Sequence, residues 1–277
     1  MSNSSKQNLT SLVNASCFLF QLGLEHQIAS TKERHGWAIV SHEHPWRYGE
    51  EDGFIDLVLS KGLGLTVVEC KRPRDGTWAF LVPEEQSNDV SRLRCLWVAG
   101  QKDGASFAGW DDLNCLPTSY ESEFCVVRGS GEGDRSLLER LSATLLTSVD
   151  GLAEEELSIL RRQNPEYSGF YLALIVTTAD LQACRFRPDN VDLTTGEVKN
   201  AVFERVPFIR FRKAFSTEQP PNASPKDLRE AAVGRQRSVI VVDATNLVSL
   251  LTELSVVASF WSPYPWQTAL QRQRNPR

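Results

Sequence analysis

The chain of 277 residues contains no Cys-x-x-Cys pair; its six cysteines stand at 17, 70, 95, 115, 125 and 184. That spacing gives neither a zinc-ribbon ligand set nor a disulfide framework. Cys17 and Cys70 fall inside apolar periodic stretches and read as small core hydrophobes. No apolar run reaches the roughly 18 residues a membrane-crossing helix needs. The opening MSNSSKQNLT lacks a basic segment followed by an apolar run, so it does not read as a signal peptide. A reduced, cytoplasmic setting with no membrane partner is the expectation. Positive charge is not in excess either: 30 Lys and Arg stand against 35 Asp and Glu, for a net charge of −5. That balance excludes a uniformly basic surface, though not a local one. The glycine-rich Gly129–Asp134 is followed by no Gly-Lys-Ser/Thr, which excludes a phosphate-binding loop. No internal repeat and no clear domain boundary is present.

What is present is an ordinary globular composition, 41% hydrophobic and 23% charged, in a chain long enough to bury one substantial core. The basic residues are clumped: Lys71, Arg72 and Arg74; Arg92 and Arg94; Arg205, Arg210, Arg212 and Lys213; Arg235 and Arg237; Arg272, Arg274 and Arg277. All four histidines lie early, at 26, 35, 42 and 44. On a strand His42 and His44 share a face, but no third ligand has matching spacing. A strand end or loop running into Pro45-Trp46 is the reading of that stretch.

The most informative segment is Gly53–Arg74, GFIDLVLSKGLGLTVVECKRPR. Its period is that of two apolar strands joined by a short turn. A two-residue turn at Gly62-Leu63 puts glycine at the first central position, where a type II′ hairpin turn requires positive φ. The register then pairs Ser60 with Leu65, Val58 with Val67 and Asp56 with Glu69. Strict alternation puts Phe54, Asp56, Val58, Leu65, Val67, Glu69 and Lys71 on one face. Directly opposite residues have Cβ atoms about 4.5–5.5 Å apart. Two carboxylates held that close in an apolar setting repel unless a cation lies between them.

Asp56, twelve intervening residues and then Glu69-Cys70-Lys71 resemble the D-x(n)-[DE]-x-K signature of the PD-(D/E)xK, or restriction-endonuclease-like, nuclease superfamily. A second copy, Asp180 with Glu197-Val198-Lys199, lacks an apolar strand leading into its glutamate and is set aside. The resemblance implies an α/β fold: a restriction-endonuclease-like core in which a mixed central β-sheet is flanked by helices, with an insertion and a C-terminal extension. It implies one domain over 1–277, with the core at about 8–98 and 135–180, the insertion at 99–134 and the extension at 181–277. It also implies a Mg²⁺ or Mn²⁺ cofactor held by Asp56, Glu69 and the Cys70 carbonyl, with Lys71 orienting or activating water. A first-helix acid often joins such sites, and Glu25 is the candidate; Gln86 is the candidate for a glutamine from the helix after the E-x-K strand. The implied activity is metal-dependent phosphodiester hydrolysis, endonucleolytic on DNA rather than RNA, in the context of bacterial defence. A homodimer or a partner protein would then supply recognition. The alternatives are a non-catalytic subunit of nuclease fold, or a sensor binding a nucleotide ligand through Arg205–Lys213 and Arg235–Arg237.

Along the rest of the chain, periodicity predicts a helix over 8–34 capped by Thr10 or Ser11, and a first strand at Gly36–Ser41 with RYGEED as a loop. It predicts a helix over 84–98, a strand piece at Glu123–Arg128, and a long helix from Arg135 to about Arg162, broken near Asp150-Gly151. Gly169–Thr178 reads as a strand buried on both faces. Further strands are expected at 181–187 and 201–213; the second alternates apolar and basic residues toward a phosphate-facing surface. Residues 216–230 read as a polar loop. Ser238–Val242 then reads as a buried strand, Asp243–Thr245 as a helix cap, Leu247–Ala258 as the helix, and residues from Ser262 as a loosely packed tail.

Overall fold

The computed structural model of the protein describes residues 9–14, 16–73, 76–100, 106–127, 137–163, 167–215 and 225–257. Residues 129–134, 216–224 and the tail from Ser262, for which loops and fraying are expected, lie outside these. Residues 9–14 are helical, and both Thr10 and Ser11 lie within the helix rather than capping it. The Ser16 amide and hydroxyl both donate to the Val13 carbonyl there. Helix α1 (Phe18–Ser30) and the single turn α2 (Lys32–His35) follow, and Gly36 at φ 74° ends the turn.

Three antiparallel strands come next: β1 (Ala38–Tyr48), β2 (Glu51–Lys61) and β3 (Gly64–Lys71). The expected RYGEED loop is instead the tip of the β1–β2 hairpin, with Tyr48 paired to Glu51. The β2–β3 register matches the arithmetic of the sequence: Ser60 opposes Leu65, and Val58 opposes Val67. Gly62 takes φ 60° in the turn, a conformation that side chains with a Cβ adopt only under strain.

Strands β4 (Thr77–Pro83), β5 (Val90–Gly100), β6 (Ser106–Ser119), β7 (Glu121–Ser122) and β8 (Cys125–Val127) follow before helix α3 (Leu137–Gln163). The helix expected over 84–98 is therefore absent, and β5 occupies most of it. The reason is packing: Leu93 through Ala99 are all buried, with β6 along one side and β9 along part of the other. Burial on both faces favours a strand over a one-sided helix.

Helix α3 runs unbroken through Asp150-Gly151. Its buried Leu138, Leu145, Leu146, Val149, Leu152, Ala153 and Leu157 recur at helical spacing. Gly151 is accommodated because strand β1 passes against the helix there; a Cβ at 151 would lie 3.0 Å from the Arg47 carbonyl oxygen. After α3 come β9 (Ser168–Thr177), β10 (Asp180–Phe186), β11 (Val202–Arg205), β12 (Phe208–Ala214), helix α4 (Leu228–Arg235), β13 (Gln236–Asp243), helix α5 (Leu247–Glu253) and β14 (Ser255–Val257). Asp243 caps the final helical turns, accepting from the Thr245 amide at 2.7 Å, as its position predicts.

The main sheet has the order β1-β2-β3-β9-β13-β12-β7, with β5, β6 and β14 branching from it. Strand β9 is its axis. It pairs in parallel with all of β3, and its other edge is shared between β5 at the start and β13 at the end. A smaller sheet, β11-β10-β4-β8, stacks on one side. One apolar cluster lies on the α3 side and includes Val58, Val67, Ile175, Trp78 and Phe80. The opposite cluster joins Leu57, Leu59, Val68 and Val176 to α1 and α5 through Leu24, Ile28, Leu250 and Leu251. The fold is thus α/β, a mixed sheet with helices on both faces. No helix among the described residues is long and apolar enough to cross a membrane.

Candidate active site

Strict alternation fails at one matched position of the first hairpin. On β2, Ile55 packs in the α3-side cluster while Leu57 packs in the α1-side cluster. Both are odd-numbered, so the side-chain direction must switch at Asp56. On β1 the same happens around Glu43: His42 reaches Glu25 of α1, whereas His44 reaches Glu155 of α3. Glu43 sits between them at φ 47°, a backbone conformation uncommon for a non-glycine residue. The flanking pairs, His42 with Leu57 and His44 with Ile55, keep one register across the irregularity. His42 and His44 therefore do not share a face, and their nitrogens do not converge.

This switch decides where Asp56 goes. The β2–β3 ladder ends at Leu57 opposite Val68, so Asp56 and Glu69 are not a ladder pair. Instead the Asp56 carboxylate accepts a hydrogen bond from the Cys70 amide, 2.6 Å from Oδ2. A side-chain oxygen thus takes the place of a strand carbonyl. Within a strand, a residue's N–H and C=O leave on the same side, so the Cys70 carbonyl also faces the Asp56 edge. The Cys70 thiol is buried in the α1-side cluster; burial first, then Asp56 and Glu69, push its pKa well up. It stays a neutral thiol, and what Cys70 offers the site is its backbone.

Glu69 and Lys71 point to the α3 side, since their parallel partners on β9 are Ile175 and Thr177. Both are half-buried. Burial and the neighbouring Asp56 raise the Glu69 pKa to about 7, against a smaller pull downward from Lys71. Asp56 is raised too, mainly by burial, with Glu43 adding and the Cys70 amide opposing. Among the described residues neither carboxylate has an ion pair within 4 Å, although Lys71 acts on both.

Glu25 stands on α1 with its own partners: Oε2 lies 3.6 Å from His42 Nδ1, and Oε1 accepts from Gln21 Nε2 at 3.4 Å. The same Gln21 amide donates to the Asp56 carbonyl at 3.2 Å. Helix α1 is thereby tied to the strand that carries Asp56. Gln21 and Glu43 are the residues that sequence reasoning passed over. A signal existed for Gln21, an uncharged polar residue in the buried i, i+3, i+7 stripe with Leu24 and Ile28. For Glu43 there was none, because its importance comes from the backbone switch.

Other candidates fall elsewhere. Gln86 donates to the Glu121 carbonyl at 2.7 Å. Glu121 belongs to β7, four strands across the sheet from β3, or about 19 Å at the usual strand spacing. In the second D…E-x-K copy, Asp180 pairs with Arg205 at 3.0 Å and Lys199 pairs with Asp192 at 3.7 Å. Of the basic residues expected to form a phosphate-facing surface, Arg210 and Arg212 are turned inward, while Arg205 stays exposed and pairs with Asp180 and Asp243. Arg210 is 1% exposed and donates to Ser119 Oγ and to the Cys115 and Pro117 carbonyls at 2.7–2.8 Å. Arg212 pairs with Asp112 at 2.7 Å, Lys213 with Glu139 at 2.6 Å, and Arg237 lies over the Trp110 ring at 4.6 Å. Alternation along β12 puts Arg210 and Arg212 on one face, and β6 covers that face with Ser119, the Cys115 and Pro117 carbonyls and Asp112.

The donor set at Asp56, Glu69 and the Cys70 carbonyl is all oxygen and fits a hard divalent cation. The two raised carboxyls also fit, since a nearby cation would favour their ionised forms. No protein-family model, no curated protein and no solved structure matches the chain.

Proposed function

We propose that the protein is a metal-dependent nuclease that hydrolyses phosphodiester bonds, cutting DNA internally in preference to RNA. One observation carries the reading: the Asp56 carboxylate docks on the Cys70 amide, at the centre of Glu69-Cys70-Lys71. The order α1, β1, β2, β3 and then, beyond the intervening strands β4 to β8, α3 and β9 also supports it, since without those intervening strands it is the order of the resembled superfamily's core. Asp56, Glu69 and the Cys70 carbonyl would hold Mg²⁺ or Mn²⁺; Glu25, the further acid expected from the first helix, sits with His42 and Gln21 on the α1 side of the sheet, opposite the side to which Glu69 and Lys71 point. Such an ion supplies charge neutralisation at the phosphate and makes water a stronger acid. Lys71, two residues beyond Glu69 on the same face, orients the attacking water and stabilises negative charge as it develops. Burial and the neighbouring Asp56 raise the Glu69 carboxyl to about 7, so a bound cation would favour its ionised form.

The rival reading of a nucleotide sensor rested on Arg205–Lys213 and Arg235–Arg237. Arg205, Arg210, Arg212, Lys213 and Arg237 are engaged by protein partners, which removes most of its basis. A role in bacterial defence, alone or with a partner that supplies recognition, belongs to the same proposal. The test is incubation of the purified protein with plasmid, linear duplex, single-stranded DNA and RNA in Mg²⁺, Mn²⁺ or EDTA. Cleavage that needs the metal and disappears in Lys71→Ala supports the assignment. Absence of cutting on every polymer, with Mn²⁺ present, refutes it.

A further inference from the structure

We propose that the outward side of the N-terminal helices is a self-association surface, and that its partner is the same surface of a second copy of this chain. The inference stands apart from the nuclease reading and uses none of the candidate site residues. Leu9, Leu12 and Val13 are spaced to share one side of the helical residues 9–14, and Phe18, Leu19 and Leu22 to share one side of α1. All six are 43–67% exposed. The other side of α1 buries Leu24 and Ile28 in the core. The helix is therefore apolar all round, a pattern that belongs to a helix covered on both sides. The first helical stretch is fixed beside it, because the Arg72 guanidinium at the end of β3 donates to the Asn14 carbonyl. Charge, area and shape identify the occupant. No charged residue stands between Leu9 and Leu24. A nucleic-acid surface needs cations for the phosphates, and a lipid-facing helix carries Lys or Arg on its polar side; this stretch offers neither. At about 150 Å² for a whole side chain, the six leave roughly 500 Å² of apolar surface in water, more than a monomer ordinarily shows. Two such surfaces pressed together bury about 1,000 Å² before any polar rim is counted, the least that a specific interface needs. Gly23, one turn beyond Leu19, leaves open space where a Cβ would stand, so a second helix can approach α1 closely. An uncharged apolar surface complements itself across a two-fold axis, each copy covering the other.

The test is sedimentation equilibrium of the full chain at about 1 to 100 μM, because self-association follows protomer concentration. Wild type would be compared with the double variant Phe18→Glu with Leu22→Glu, with Leu12→Glu, and with Leu193→Glu as a control. Leu193 is 95% exposed in a turn between β10 and β11, far along the chain from the proposed surface. Circular dichroism and thermal melting at the lowest concentration report whether each variant folds. Wild type should approach twice the chain's 31.1 kDa as concentration rises. The double variant should dissociate at least about thirtyfold more readily, the effect of losing one well-packed anchor, while Leu193→Glu associates like wild type. Leu12→Glu leaves α1 intact, acts in the same direction, and carries the test if the double variant does not fold. A wild type that stays monomeric across the range, or a dimer that Leu12→Glu and the double variant leave unchanged, would overturn the proposal. Monomeric wild type that floats with phosphatidylserine vesicles would assign the surface to a lipid membrane instead.

Discussion

Glu69→Gln should flatten a pH dependence of stability that the metal-free protein otherwise shows. In the folded chain burial and Asp56 raise the Glu69 carboxyl from 4.5 to about 7. Between those values the folded state holds a proton that the unfolded state has released, so stability falls as pH rises through the window. At 1.36 kcal/mol per pKa unit the full effect is about 3 kcal/mol, which for a chain of this size is about 6 °C in melting temperature. The sign is opposite to that of a salt-bridged carboxylate, whose contribution is lost on acidification. The assay is thermal unfolding in EDTA from pH 4.5 to 8, wild type beside Glu69→Gln. The two should melt alike near pH 4.5, and the variant should be the more stable by several degrees at pH 8. Asp56 and Asp150, the latter raised to about 6 mainly by burial, act with the same sign in both proteins and largely cancel in the comparison. Parallel curves across the range would refute the crowding of Glu69 against Asp56.

Asp56→Ala and Lys71→Ala should each abolish metal-dependent cleavage while the far-ultraviolet circular dichroism stays that of wild type; retained cleavage in both would sink the catalytic assignment. Arg210→Ala should destabilise the fold by at least about 3 kcal/mol in urea, because Ser119 and two buried carbonyls lose their donor. Gly151→Ala should cost about 1–3 kcal/mol, since its methyl would press on the Arg47 carbonyl 3.0 Å away; unchanged stability would show that β1 gives way freely. Alkylation of the native protein should modify one thiol, Cys17, and all six only after denaturation, as the other five are buried.

Much of this architecture is written locally. Apolar alternation and Gly62 determined the β2–β3 hairpin and its register without help from distant residues, because a two-residue turn leaves one way to pair the strands. The leucine stripe of α3, the continuous apolar run of β9 and the Asp243 cap were legible for the same reason: each is a short-range pattern whose period or chemistry suffices. The segment 84–98 was misread because its acidic start and mixed side chains suit a helix locally. Burial on both faces between β6 and β9, a non-local fact, made it a strand. The inward arginines were equally hidden, since alternation says that Arg210 and Arg212 share a face but not that the shared face is the interior. At the candidate site the sequence by itself fixed which residues stand close along the hairpin: Asp56, Glu69, Cys70 and Lys71. Only the tertiary structure decided how they meet. The backbone switch at Glu43 and Asp56 exchanges a ladder pair for a side-chain bond to Cys70, and α1 reaches across 35 residues of sequence to hold it through Gln21. Period and spacing describe a chain's neighbours along itself; the partners of a buried amide or a displaced carboxylate are set by whatever the fold packs beside them.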